Sequence, residues 1–148
     1  MASHSNVKWP WREKLGAQLS TLGNYAREHR MRLSMHPGQY VVLNSQRTNV
    51  VRAAVDELSY HADFLDAMGL TSEHKINLHV GGVYGDRHVS LQMFRENFHN
   101  LPENVKTRLV IENDERNYGA DDVLVYVDRS MFRWSLTTCI IKHTARAP

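Results

Sequence analysis

The sequence has few of the features that mark secreted, disulfide-rich or membrane-embedded proteins. Its 148 residues include one cysteine, Cys139, so no disulfide can form within the chain, which suits a reducing compartment. No apolar run approaches the ~20 residues of a membrane span, and the polar amino terminus lacks the apolar stretch of a signal peptide. We therefore expect a soluble protein of a bacterial-type cytoplasm, or of the nucleus or mitochondrion in a eukaryote, with no membrane partner.

An excess of one charge is also missing. Lysine and arginine total 18 against 16 aspartates and glutamates, a formal net charge of +2, which is too weak by itself to predict a polyanionic partner. With 42% hydrophobic and 23% charged residues, the composition is typical of a folded domain, and the length suits a single one. Any partner must therefore be inferred from particular residues.

The sequence does contain an alternation of helical and strand-like segments. Apolar residues at three- and four-residue steps predict helices over residues 11–29, 51–69 and 91–101, and a further helix beginning near Asp121. Short apolar segments closed by proline, glycine or polar residues predict strands over residues 31–36, 75–80 and 108–112. This order implies parallel strands and an α/β fold.

Each predicted strand carries a potential metal ligand at its carboxyl end: His36, His79 or Glu112. In a parallel α/β barrel the strand ends share one face, so these three side chains should converge. Two imidazoles and a carboxylate suit Mn²⁺, Zn²⁺ or Fe²⁺, and such an ion supports hydrolytic chemistry. His79 alone is as well explained as a hydrogen-bonded strand histidine, but the presence of His36 and Glu112 at equivalent strand ends favours a metal site.

The turn after His36 ends in an amide and an aromatic residue, Gln39 and Tyr40. Such a pair can stack on an unpaired base and hydrogen-bond to its edge; alternatively, Tyr40 begins the apolar run of residues 40–43 and belongs to the core. Basic side chains that can contact phosphates, or that are merely solvated surface charges, are Arg47, Arg52, Arg87, Arg95 and Lys106.

Three segments carry a resemblance to the ultraviolet damage endonuclease family (UvdE): RLSMHPGQY at 32–40, HVGGVYGD at 79–86 and IEND at 111–114. The likeness extends over roughly residues 32–127. It implies a TIM barrel that binds a cluster of divalent ions, typically manganese, and nicks DNA on the 5′ side of ultraviolet photoproducts in a form of excision repair.

The same resemblance assigns roles to individual residues. Those that match the family's metal-binding and catalytic positions are His36, His79 and Glu112. Those that match the residues wedged into the duplex at the lesion are Gln39 and Tyr40. Asn44 and Asn113 resemble positions near the site, where they either orient ligands or contact the DNA backbone.

The length implies only part of that barrel, because a TIM barrel typically needs ~250 residues. We expect a partial TIM barrel of about three to four βα units over residues 1–128, followed by an atypical tail, 129–148, that suggests truncation or a frame change. The metal cluster is then incomplete, and the chain alone is expected to be inactive and prone to self-association. The alternatives are another metal-dependent barrel enzyme, such as an abasic-site endonuclease or a sugar isomerase, and a nonenzymatic DNA-binding remnant.

Overall fold

The computed structural model describes residues 9–113 and 116–119 of the chain. Within these residues the helices are α1 (Trp11–Glu28), α2 (Thr48–Ala67), α3 (Arg87–His99) and the short α4 (Glu103–Lys106). The strands are β1 (Ser34–Met35), β2 (Lys75–His79) and β3 (Leu109–Glu112). The predicted helix near Asp121 and the predicted domain boundary at residue 128 lie outside the described residues.

The three strands form one parallel sheet in the order β1-β2-β3. Met35 pairs with Ile76, and the register of β2 with β3 ends at the pair His79 and Glu112. The prediction of an α/β fold with parallel strands is therefore confirmed. Because the strands run in one direction, the residues at their carboxyl ends meet at the same edge of the sheet.

Helix α2 packs against the sheet because its apolar residues repeat at helical spacing. Its fully buried positions are Ala54, Leu58, Ala62 and Leu65, separated by four, four and three residues, which places them on one face. In β2 burial alternates, so Ile76 and Leu78 are buried whereas His79 is only half-buried. The strand thus gives its apolar side chains to the core and keeps His79 accessible.

Strand β1 is much shorter than the predicted strand of residues 31–36. Its regular pairing ends at Met35, since His36 precedes Pro37, which has no backbone N–H and restricts the conformation of the residue before it. His36 therefore lies one residue beyond the strand, still at its carboxyl end.

Helix α3 begins earlier than the apolar stripe from residue 91 suggested. Asp86 is its N-cap, and the side chain of Asp86 accepts a hydrogen bond from the backbone N–H of Val89 at 2.8 Å. After α3, Pro102 takes the N-cap position of α4, a short helix that the sequence pattern did not predict. The strand that follows begins at Leu109.

The amino end of the sheet is organised around a buried arginine. Arg108, only 4% exposed, donates hydrogen bonds to the carboxylate of Asp66 at 2.5 Å and to the backbone oxygen of Leu70 at 2.6 Å. It also donates to the backbone oxygens of Thr71 and His74. A buried guanidinium with this many acceptors is fully compensated, so Arg108 ties the end of α2 to the start of β3.

A buried histidine completes this end of the sheet. The Nδ1 atom of His74 accepts a hydrogen bond from the backbone N–H of Leu33 at 3.0 Å. Burial, together with the charge of Arg108, lowers the pKa of His74 from its ordinary value of 6.5; Glu73 opposes this effect and Arg27 adds to it. The neutral ring, which can accept a hydrogen bond, is therefore the favoured form.

Among the described residues, no helix is long and apolar enough to cross a membrane.

Candidate metal centre

The structure brings together the three side chains that the sequence predicted to converge. His79 and Glu112 are register partners at the ends of β2 and β3, and His36 follows β1. One potential ligand atom from each of these residues lies within 4.8 Å of the other two. Among the residues that the structure describes, this is the one group of three or more histidine, cysteine or acidic side chains arranged in this way.

Hydrogen bonds fix which nitrogen of each imidazole is available. The Nδ1 atom of His36 lies 3.0 Å from the backbone oxygen of Pro37, and the Nδ1 atom of His79 lies 3.3 Å from the backbone oxygen of Glu112. A carbonyl oxygen can only accept, so in each neutral ring Nδ1 carries the proton and donates it. The lone pair of Nε2 is then available to a metal ion in both rings.

The donor set and its exposure fit a divalent transition ion. The Nε2 atom of His36 lies 3.5 Å from a carboxylate oxygen of Glu112, and the rings of His36 and His79 are 5.5 Å apart between centroids. The side chains of His36 and Glu112 are 53% and 42% exposed, which leaves the cluster open to solvent and to further ligands. Two imidazole nitrogens and one carboxylate oxygen suit Mn²⁺, Zn²⁺ or Fe²⁺.

The Gln39 and Tyr40 tip projects from the same end of the sheet. Tyr40 is 81% exposed, and full burial in the following apolar run is reached only at Leu43. The alternative that Tyr40 belongs to the core is therefore wrong. Gln39 is likewise exposed, and contact of these two residues with a DNA lesion stays a prediction.

The two asparagines predicted near the site occupy different environments. Asn44 is fully buried, and its side-chain nitrogen donates to the backbone oxygen of Gly82 at 2.7 Å. Asn113 is half-buried and directly follows Glu112. For Asn44 the burial favours the orienting role over contact with the DNA backbone; for Asn113 both roles remain predictions.

Two residues near the site were not found from the sequence. Tyr118, which is 1% exposed, donates its hydroxyl hydrogen to the backbone oxygen of Gly82 at 3.2 Å, and the side chain of Asn117 donates to the backbone oxygen of Gly81 at 3.2 Å. A usable signal was present, because polar residues soon after a strand end share the edge where the site lies.

The basic residues considered for phosphate contact differ in their neighbours and in their exposure. Lys106 pairs with Glu103 at 3.0 Å, and the guanidinium of Arg87 lies 5.7 Å from the ring centre of Tyr118. Arg47, just before α2, and Arg52, near the start of that helix, are both exposed. Phosphate binding by any of them stays a prediction.

Comparison with known proteins gives a consistent result. A protein-family model described as UV-endonuclease UvdE matches residues 1–131. A UV DNA damage endonuclease of Clostridium perfringens is 40% identical over 124 residues, which are 84% of this chain and 30% of that protein. A protein of the same name from Bacillus velezensis is 36% identical over 124 residues, 84% of this chain and 39% of that protein.

The solved structures agree. The crystal structure of SacUVDE matches with a TM-score of 0.83 and 48% sequence identity, over 86% of this chain and 44% of that one. The chain thus spans 30% and 39% of the lengths of these two curated relatives and less than half of the solved chain.

Proposed function

The chain belongs to the UV-endonuclease UvdE family, and we propose that it supplies part of the metal centre and the lesion-contacting tip of an endonuclease that incises DNA 5′ to ultraviolet photoproducts in excision repair. The observation that carries this proposal is the cluster of His36, His79 and Glu112 at the strand ends. Damaged DNA is the proposed substrate, as the names of the relatives suggest.

We assign the metal-binding and catalytic role to the Nε2 atoms of His36 and His79 and to the carboxylate of Glu112, with Mn²⁺ as the proposed ion. A divalent ion supplies charge neutralisation at phosphate oxygens and lowers the pKa of water, both of which favour phosphodiester hydrolysis. The hydrogen bonds from Nδ1 keep the two rings in the tautomer that binds metal. Glu112 would add an anionic oxygen that offsets part of the charge of the ion.

Recognition of the lesion is assigned to Gln39 and Tyr40. The 81% exposure of Tyr40 leaves its ring available to stack on a base. A damaged, poorly stacked step costs less of the few kcal/mol that base extrusion demands, so a stacking side chain selects it over an intact step. Gln39 then hydrogen-bonds to the exposed edges of the bases.

The likeness to SacUVDE supports the proposal that residues 1–128 are part of a TIM barrel, with the sequence after residue 128 as an atypical tail. In the described sheet β1 and β3 each have one strand neighbour, and such edges favour pairing with another chain. We propose that the isolated chain self-associates and has little or no incision activity, because the three ligands found among residues 9–113 and 116–119 are fewer than a cluster of metal ions requires.

The first experiment combines metal binding with DNA binding. The purified 148-residue chain is titrated with Mn²⁺, and then with a duplex that carries one pyrimidine dimer, with the same duplex undamaged, and with one that carries an abasic site. We expect Mn²⁺ binding that is lost in His79→Ala, and preference for the dimer that is lost in Tyr40→Ala. Tyr25→Ala is the matched control, because Tyr25 is also exposed but lies on α1.

Each outcome has a defined meaning. Folded wild-type protein that binds no Mn²⁺, or that binds all three duplexes equally, would contradict the proposed function. Preference for the abasic duplex would also contradict it, because the substrate would then be an abasic site and not a photoproduct. Incision is followed on the end-labelled duplexes. A dimer-dependent nick that disappears in His79→Ala would support the metal centre and show that the expectation of inactivity is wrong.

A further inference from the structure

The backbone oxygens of Gly81 and Gly82, in the turn after β2, accept hydrogen bonds from side chains that follow β1 and β3. The backbone oxygen of Gly82 accepts hydrogen bonds from the Asn44 side chain at 2.7 Å and from the Tyr118 hydroxyl at 3.2 Å. The backbone oxygen of Gly81 accepts one from the Asn117 side chain at 3.2 Å. Asn44 follows β1, whereas Asn117 and Tyr118 follow β3. The turn after the central strand is therefore tied to both flanking segments.

Asn44 and Gly81 fit together so closely that neither can change without affecting the other. Gly81 has a φ of 112°, a conformation that side chains rarely permit, and a Cβ atom at this position would overlap the side-chain oxygen of Asn44 and press against Val42. The side chain of Asn44 is fully buried, and its oxygen has no hydrogen-bond partner among the described residues. The hydrogen bond of the Asn44 side chain therefore goes to the glycine turn, from its nitrogen to the backbone oxygen of Gly82.

The turn lies next to His79 along the chain, because a single residue, Val80, separates His79 from Gly81. Val80 is 2% exposed, so packing prevents it from absorbing a displacement of the turn. The Nδ1 atom of His79 donates to the backbone oxygen of Glu112 over 3.3 Å, which is already long for such a bond. A small shift of β2 would break it and release the ring from the tautomer that offers Nε2 to a metal ion.

We propose that Asn44 is a positioning residue of the metal centre, which acts on His79 through the Gly81–Gly82 turn and does not contact DNA. The proposal rests on the proposed function, because the orientation of His79 matters only if it binds a metal ion. It distinguishes Asn44 from Tyr40, whose side chain is 81% exposed whereas that of Asn44 is buried. Mn²⁺ affinity, and not the affinity for DNA in the absence of metal, should depend on Asn44.

The test compares Asn44→Ala with Asn24→Ala in the full chain by Mn²⁺ titration. Asn24 is a matched control, since it is exposed on α1 and its side-chain oxygen accepts from Arg27. Alanine is chosen over aspartate because a new carboxylate near the site would itself attract Mn²⁺. We expect Asn44→Ala to lower Mn²⁺ affinity about tenfold, the lower end of the loss found for residues that orient metal ligands, and Asn24→Ala to leave it unchanged.

A second variant keeps the test decisive if Asn44→Ala does not fold. Tyr118→Phe removes only the hydroxyl donor to the same Gly82 oxygen and preserves the packing of the ring; its control is Tyr25→Phe, at an exposed position of α1. We expect Tyr118→Phe to lower Mn²⁺ affinity in the same direction as Asn44→Ala, and Tyr25→Phe to have no effect.

A spectroscopic readout separates positioning from a purely structural role. Long-range ¹H–¹⁵N spectra of His79 report which ring nitrogen carries the proton. We expect the Nδ1–H form in the wild type and a mixture of tautomers in Asn44→Ala. A purely structural role would lower the unfolding temperature and leave both the tautomer and the Mn²⁺ affinity as in the wild type.

The outcomes distinguish this proposal from the function on which it rests. Wild-type Mn²⁺ affinity and tautomer in folded Asn44→Ala, or wild-type affinity in Tyr118→Phe, would overturn the positioning role alone. A wild-type chain that binds no Mn²⁺, or a His79→Ala variant that binds it normally, would overturn the metal centre itself.

Discussion

The amino and carboxyl ends of the three-stranded sheet use polar side chains in different ways. At the amino end, Arg108 is 4% exposed and its guanidinium donates to the carboxylate of Asp66 and to three backbone carbonyls. His74 is also buried there and accepts from the backbone of Leu33. These groups are matched to partners within the protein, so their contribution is to stability.

At the carboxyl end the polar side chains are more exposed and face one another. His36, His79 and Glu112 bring three potential ligand atoms to within 4.8 Å. Each imidazole uses one nitrogen for a backbone carbonyl and keeps the other for a ligand. One parallel sheet thus has a stabilising end, where the polar groups pair with each other, and a proposed binding end, where they form the candidate metal site; α/β barrels separate stability and function in the same way.

The largest expected effect is at the binding end. Glu112→Gln keeps the size of the side chain but removes its negative charge. Residues that only orient metal ligands lose up to roughly 100-fold in metal affinity when they are substituted. Because Glu112 is a proposed ligand itself, its substitution should lower Mn²⁺ affinity by more than that. The free energy of unfolding should change by less than about 1 kcal/mol, because the pair of Glu112 with His36 is largely exposed. Titration with Mn²⁺ and urea unfolding measure the two quantities.

The matched control for that change is Glu103→Gln, since the side chain of Glu103 is 79% exposed and lies on α4. It should leave Mn²⁺ affinity unaltered. Equal losses in the two variants would mean that overall charge, and not the cluster, governs metal binding.

The second effect is at the stabilising end. Arg108→Met removes the donors from Asp66 and from three backbone carbonyls, two of them buried, and we expect a loss of about 3 kcal/mol in the free energy of unfolding. Arg12→Ala is the control, because the ion pair of Arg12 with Asp63 is largely exposed and should contribute less than about 1 kcal/mol. A folded Arg108→Met chain should bind Mn²⁺ normally, and weakened binding would break the separation between the two ends.

A substitution in the glycine turn sharpens the comparison, because it should affect both properties. Gly81→Ala forces a side chain into a conformation with φ of 112° and against Asn44, which should cost about 2 kcal/mol of stability. Mn²⁺ affinity should fall together with it. Gly16→Ala on α1 has open space around the new Cβ atom and should instead stabilise the helix by about 0.5–1 kcal/mol.

The smallest effect is the pH dependence of stability at the amino end. The lowered pKa of His74 means that the unfolded chain binds more protons than the folded chain between the folded pKa and the ordinary value of 6.5. This contribution to stability is therefore fully present above about pH 6.5 and is lost as the pH falls toward the folded pKa. Urea unfolding between about pH 5 and 8 measures it.

His74→Asn isolates this contribution, because the asparagine oxygen can still accept from Leu33 but does not titrate. Its pH dependence should be weaker than that of the wild type. Some dependence should remain, since burial also lowers the pKa of His61, with Glu57 opposing the shift. An unchanged profile in His74→Asn would contradict the assignment to His74.

The elements that the sequence predicted well are those set by local periodicity. The three- and four-residue steps of α2 and the apolar segments of β2 and β3 specify both the structure type and the buried face. The convergence of His36, His79 and Glu112 could be predicted because parallel topology alone brings strand ends together. The resemblance to the family pointed to the same residues.

The elements that the sequence did not predict depend on contacts between distant segments. The partners of Arg108 are mainly backbone carbonyls in the connection between α2 and β2, and carbonyls carry no sequence signal. The same is true of Asn44 and Tyr118, whose side chains both donate to the backbone oxygen of Gly82. Strand β1 loses His36 at its end, next to Pro37, and residues 31–33 at its start, where the backbone N–H of Leu33 donates to the His74 side chain; apolar content reveals neither loss.

The pairing of His79 with Glu112 has a consequence for how this sequence can change. These residues are the last of four consecutive pairs between β2 and β3, and a slip of one residue would turn one strand's side chains to the opposite face of the sheet. A one-residue insertion or deletion within either strand would therefore separate the ligands even where a sheet still forms. Conversely, an ion that binds only the correctly paired sheet favours that arrangement by mass action. The bound ion would therefore select the correct strand alignment during folding.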